Sequence, residues 1–209
     1  MRKHTTRFFT MIETMLALGV TAIGICSIMV LFPIGATANM DTAMETYCAN
    51  AADEVLHLVK YEITDAGHWN DYVGASPETG YFRTTGSDSV TPSTYGFDPM
   101  GDDPKEPWTT QIPIAKNIIQ HDTYKGAFLL ISHKLDSETS WGDIAPEDID
   151  MAAVMVVTKR QLNVNGHSIG YNNAVTLEAE VSWPAAQTYA ARKKATYVFD
   201  VFNPAITTP

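Results

Sequence analysis

From Thr14 to Met40 the chain runs 27 residues without a charged side chain, and the residue just before that run, Glu13, is an acid. A helix needs about 20 apolar residues to cross a hydrocarbon layer about 30 Å thick, so the run is long enough to span one. A carboxylate at the edge of such a segment is costly in lipid, and its presence there calls for a reason. Arg2, Lys3, His4 and Arg7 precede the run, and no Lys or Arg occurs from Phe8 to Val59. That asymmetry puts the N-terminus in the cytoplasm and the bulk of the chain outside.

The segment is unusual for a plain anchor. Gly19, Gly24, Pro33 and Gly35 interrupt it, and Thr21, Ser27 and Thr37 add small polar groups. Small residues let helices approach closely, which suits packing against copies of the same chain. Pro33 lacks an N–H and is expected to kink or loosen the helix, and with Gly35 it forms a candidate joint. A cleaved secretory signal is the alternative, with Ala36-Thr37-Ala38 as a superficial cleavage pattern. Against it, the apolar stretch is long and helical patterning continues beyond it.

The rest of the composition narrows the function classes. The 209 residues carry 14 Lys and Arg against 24 Asp and Glu, a net charge of -10. Phosphate binding needs a basic face, so nucleic acid is excluded as the expected partner. Arg192-Lys193-Lys194 is the one basic cluster beyond the N-terminus; it reads as a solvated turn, with a partner-docking patch as the alternative. Cys26 and Cys48 fall on one expected helix, roughly 33 Å apart at 1.5 Å per residue. A disulfide needs Cα atoms within about 7 Å, so the two are not paired within the chain.

The string FTMIETMLALGV, Phe9 to Val20, resembles the signature that opens type IV pilins and the pseudopilins of type II secretion systems. The resemblance implies that residues 1–8 are a basic leader removed by a membrane prepilin peptidase. It also implies that Phe9 becomes a methylated N-terminus and that Glu13 pairs with the N-terminal amine of a neighbouring subunit. Two charges that are each costly in lipid become tolerable when they neutralise one another. The family pattern has Gly just before the cut, where this chain has Phe8, a bulky residue expected to hinder a protease site built for glycine. The implied partners are copies of the chain or other pilin-like subunits, together with inner-membrane assembly machinery. The implied destination is an extracellular or periplasmic filament.

Beyond the apolar half (residues 9–38), residues 39–66 read as an amphipathic stem. Met44, Tyr47, Cys48, Ala51, Val55, Leu58, Val59 and Ile63 recur at helical spacing, and Ala66-Gly67 supplies a stop. The whole helix, from about Thr10 to Asp65, would be roughly 84 Å long. Residues 67–123 read as an irregular linker, in which Asp98-Pro99-Met100-Gly101 fits a type I turn. Residues 124–209 read as an antiparallel sheet. Tyr124–His133 and Met151–Val164 are apolar runs, the second followed by a hairpin turn at Asn165-Gly166. Val175 to Trp183 alternates strictly and is expected to have one face on a core and one in water. Ala195–Phe202 is the last strand. The expected fold is α+β, with the stem packed on the sheet as in pilins. The long linker and closing strand are nearer to minor pseudopilins than to disulfide-closed major pilins.

No catalytic constellation is evident, and no cofactor is expected. The acidic loop Asp98, Asp102, Asp103 and Glu106 is a weak candidate for calcium, but its spacing matches no EF-hand and a solvated loop is the simpler reading. Asp65, His68 and Asp71 are a weaker candidate still. The tryptophans Trp69, Trp108, Trp141 and Trp183 read as core and loop anchors. The expected function is therefore structural, a membrane-stored filament subunit; the alternative is a membrane-tethered binding module that does not polymerise.

Overall fold

The computed structural model describes residues 10–65, 67–84, 90–101, 105–112, 115–135 and 139–205. Phe8, Phe9, Asp102 and Asp103 lie outside these residues. The chain forms two compact units that meet between Glu45 and Thr46. Helix α1, Met11–Thr64, runs through that boundary and stays helical at Pro33 and Gly35, so the expected joint does not break it.

In the C-terminal unit, the stem buries Cys48, Ala51, Ala52, Val55, Val59 and Ile63 as one stripe. It packs against a six-stranded antiparallel sheet of order β1-β2-β3-β4-β7-β8, which makes the unit α+β. The strands are β1 (Trp108–Gln111), β2 (Ile118–His121), β3 (Ala127–His133), β4 (Ile149–Gln161), β7 (Ala174–Trp183) and β8 (Lys193–Phe202). Between β4 and β7, the short strands β5 (Asn163–Val164) and β6 (His167–Ser168) form a separate hairpin. Asn165 and Gly166 turn it with φ of 51° and 82°, the paired positive values of a type I′ turn. The sheet thus begins at Trp108, inside the stretch read as linker. Strands of four residues are too short to show a period in the sequence. The turn at Asp98 forms as expected, with Gly101 N–H donating to Asp98 O at 3.2 Å.

Both faces of the sheet are covered from β3 through β4 to β7. Phe128, Leu130, Met155, Val157, Val175, Leu177, Ala179 and Val181 share the stem side, as the register of β3, β4 and β7 requires. On the other side Leu129, Ile131, Val154 and Val156 join a core with Val90, Tyr95, Phe97, Trp108, Trp141, Ile144 and Ala185. All four tryptophans are buried, as anchors should be.

The second face of β7 departs from expectation. Thr176 and Ser182 are buried, and Glu178 and Glu180 are half-buried rather than in water. The β7–β8 connection folds back over Glu180 and Ser182, with the Tyr189 hydroxyl donating to Glu180 Oε1 at 2.7 Å, and carries Arg192, which is buried rather than part of a solvated turn. Its guanidinium donates to Tyr95 O at 2.9 Å, Ala185 O at 2.8 Å and Gln187 O at 2.8 Å. Lys193 and Lys194 remain exposed. Arg192→Ala is expected to lower the head's unfolding free energy by about 2–4 kcal/mol, since three carbonyls lose a charged donor. Arg192→Lys should recover less than half, because an ammonium cannot span three fixed acceptors as a guanidinium fork does. Urea titration of the full chain in detergent, followed by tryptophan fluorescence, measures both.

His121 sits between two rings, edge-on to Tyr95 at 5.0 Å and to Trp108 at 4.9 Å. Its Nδ1 accepts from the N–H groups of Thr123 and Tyr124 at 3.1 and 3.3 Å. Burial pulls its pKa below the ordinary 6.5, and Asp122 offsets this only in part. The neutral ring is therefore the form the fold holds. Its contribution is fully present above pH 6.5 and is lost as the pH falls through the lowered folded value. His121→Asn keeps an acceptor near Nδ1 but cannot titrate. Thermal melts between pH 8 and pH 5 should show a shallower acid-side loss for that variant than for wild type.

Candidate functional site

The apolar half of α1 is the part of the chain whose surface is out of keeping with water. Every side chain from Thr10 to Ala43 is exposed, including Met11, Ile12, Leu16, Leu18, Ile23 and Phe32, the last at 79%. A soluble protein does not leave an unbroken apolar cylinder in water. The hydroxyls along it are satisfied within the helix. Thr21 donates to Ala17 O at 2.7 Å, Ser27 to Ile23 O at 2.8 Å, and Thr37 to Ile34 O at 3.0 Å. Such internal satisfaction is what a helix in hydrocarbon requires. At Gly19, Gly24 and Gly35 an added Cβ would meet nothing within 4 Å. Within one copy, then, nothing requires these residues to be small. Cys26 is exposed on the same rod, whereas Cys48 is buried in the stem, and neither is in a disulfide.

Glu13 lies at the mouth of this helix and has a local partner. Its Oε2 accepts from the Thr10 backbone N–H at 3.0 Å and from the Thr10 hydroxyl at 3.1 Å. In return Thr10 Oγ1 accepts from Glu13 N–H at 3.3 Å. Threonine at the N-cap with glutamate three residues on is a capping box, which satisfies N–H groups left over at a helix start. The T-x-x-E spacing that signals such a cap is present in the sequence as Thr10-Met11-Ile12-Glu13. Thr10 therefore joins Glu13 as a residue of interest. Phe9, the other half of the expected charge pair, is outside the described residues.

The weaker sequence candidates do not assemble into a metal centre. Asp98 Oδ1 accepts from Met100 N–H at 3.0 Å and so serves its own turn. His68 Nδ1 lies 3.7 Å from Glu62 and 3.9 Å from Asp65, a loose surface pairing at the end of α1. Among the described residues, no group of three or more His, Cys, Asp or Glu side chains is placed to hold a metal.

The fold and this segment define a class: an α+β head with, among the described residues, one N-terminal helix long and apolar enough to cross a membrane. No family model, curated protein or solved structure matches the chain.

Proposed function

We propose that this chain is a pilin-like structural subunit, stored in the cytoplasmic membrane through residues 9–38 and assembled into a filament through that same segment. The observation that carries this reading is the exposure of every side chain from Thr10 to Ala43 on an otherwise buried-core protein. Such a surface asks for lipid when the chain is alone and for neighbouring copies in a polymer. The FTMIE string and the basic residues before it support the same reading, with the N-terminus in the cytoplasm and the head outside. Glu13 supplies the charge that sets a subunit's register, and the open surroundings of Gly19, Gly24 and Gly35 leave room for a neighbour's close approach.

Electron microscopy of material sheared from native cells, labelled with antibody against the head, tests the proposal. Labelled filaments support it, whereas label confined to the membrane favours the tethered binding module. Mass spectrometry of the native N-terminus tests processing separately: a methylated Phe9 supports the peptidase step, and an intact Met1 rules it out.

A further inference from the structure

The two edges of the sheet are built differently. At one edge β1 has four residues and an irregular register against β2, a device that discourages further pairing. At the other, β8 pairs with β7 through ten consecutive residues without a bulge, and no described strand lies on its outer side. Its sequence, KKATYVFDVF, contains no Pro or Gly and is rich in strand-forming residues. Only Lys193, Lys194 and Asp200 are charged.

The faces of β8 are distinct. Ala195, Tyr197, Phe199 and Val201 lie on the stem side, while Lys194, Thr196, Val198, Asp200 and Phe202 lie on the other and are exposed. An antiparallel partner that keeps its own stem on the same side must match even positions with even positions; a one-residue slip would reverse every side chain. Within that constraint a second β8 is self-complementary. Setting Lys194 opposite Asp200 of the second copy sets Asp200 opposite its Lys194, Thr196 opposite Val198, and the two Tyr197 residues on the twofold axis. Moving by two residues one way sets Lys194 against Phe202 and Asp200 against Thr196; moving the other way sets Lys194 against Val198 and Asp200 against Arg192, whose guanidinium is buried and already held by three backbone carbonyls. Both charges are already steered onto this face: Asp200 Oδ1 accepts from the Thr176 hydroxyl at 2.7 Å, and Lys194 Nζ stands 3.6 Å over the Tyr189 ring.

We propose that β8 is a self-association edge, on which a second copy of this chain adds its own β8 in the register that opposes Lys194 and Asp200. Backbone hydrogen bonds provide the affinity, and the two reciprocal ion pairs select the register. The surface belongs to the head and is separate from the apolar helix through which the filament is proposed to assemble.

A charge swap tests this with the full chain in detergent micelles, by sedimentation at increasing protein concentration. Lys194→Glu and Asp200→Lys should each weaken the dimer by about tenfold or more, because each places like charges opposite one another twice. The double variant should return to within about threefold of wild type, since it restores opposite charges in the same register. An association unchanged by the single variants, or one the swap does not restore, overturns the proposal. A second readout does not depend on charge. Val198→Cys in a Cys26→Ser background places two thiols diagonally across the proposed axis, about 7–8 Å apart. A short bismaleimide should join them into a covalent dimer, and Lys194→Glu should prevent it. Absence of that dimer overturns the proposal as well.

Discussion

Lys159→Met is expected to lower the unfolding free energy of the head by about 3 kcal/mol. Lys159 projects from β4 and is 1% exposed. Its Nζ donates to Ser76 O at 2.9 Å and, at shorter range, to Val73 O and Thr79 O. The Tyr171 ring lies 5.1 Å from the same atom. The partners described for it are neutral, so the ammonium acts as a built-in cation that gathers the carbonyls of one loop. Burial pulls its pKa down to about 8, which still leaves the charged form dominant at neutral pH. Methionine would fill much of the space but leave three acceptors without a donor, and unsatisfied buried acceptors are what make such losses large.

The loop has little freedom to rearrange around the loss. Gly74 and Gly80 hold φ of 69° and 84°, and a Cβ at Gly80 would come within 2.7 Å of Tyr72 O. Urea unfolding of the full chain in detergent, read by the fluorescence of the buried tryptophans, measures the change. A midpoint equal to that of wild type would mean that water replaces the ammonium without cost, and the account of the loop would then be wrong.

The second large effect concerns assembly. Glu13→Ala should block or strongly slow incorporation into filaments while leaving the membrane-held monomer folded. Alanine alone does not say why, because it removes both the negative charge and the capping partner of Thr10. Glu13→Gln separates the two. Its side-chain oxygen can still accept from Thr10, as glutamine does in capping boxes, yet it brings no charge to a neighbouring amine. If charge sets the register between subunits, Gln should fail as Ala does in the sheared-filament assay. Normal incorporation of the Gln variant would reduce Glu13 to a helix cap and remove the charge mechanism. Circular dichroism of both variants in detergent checks that the helix has survived.

Much of the architecture was legible in the residues because it is written at short range. The helix period from Met44 to Ile63, the alternation from Val175 to Trp183 and the Asn165-Gly166 turn each lie within about 20 residues, and all three elements form. The stop of α1 at Thr64 is within a few residues of the Ala66-Gly67 expected to end it. The strands β1 and β2 were not legible, because four residues carry too little pattern to separate strand from loop. Arg192 was misread for a different reason: three basic residues in a row look solvated. Only the fold brings Tyr95 O, which is 97 residues away in sequence, to the first of them. Pro33 was expected to disturb α1, yet the helix continues through it.

For the candidate site, the residue chemistry alone marked out the apolar run and Glu13, since charge and apolarity are properties of the chain whatever its shape. The partnership between Glu13 and Thr10 was also within reach, being three residues long. What the amino-acid order determined is therefore the long helix, its uncharged half and the antiparallel character of the head, because each follows from periodicity and solvation over a few turns or strands. Tertiary structure alone decided that the central strands are covered on both faces, that Lys159 and Arg192 are buried among backbone carbonyls, and that β8 is left at an edge. Those outcomes depend on segments tens of residues apart converging in space, and no local pattern records which distant carbonyl a buried cation will meet.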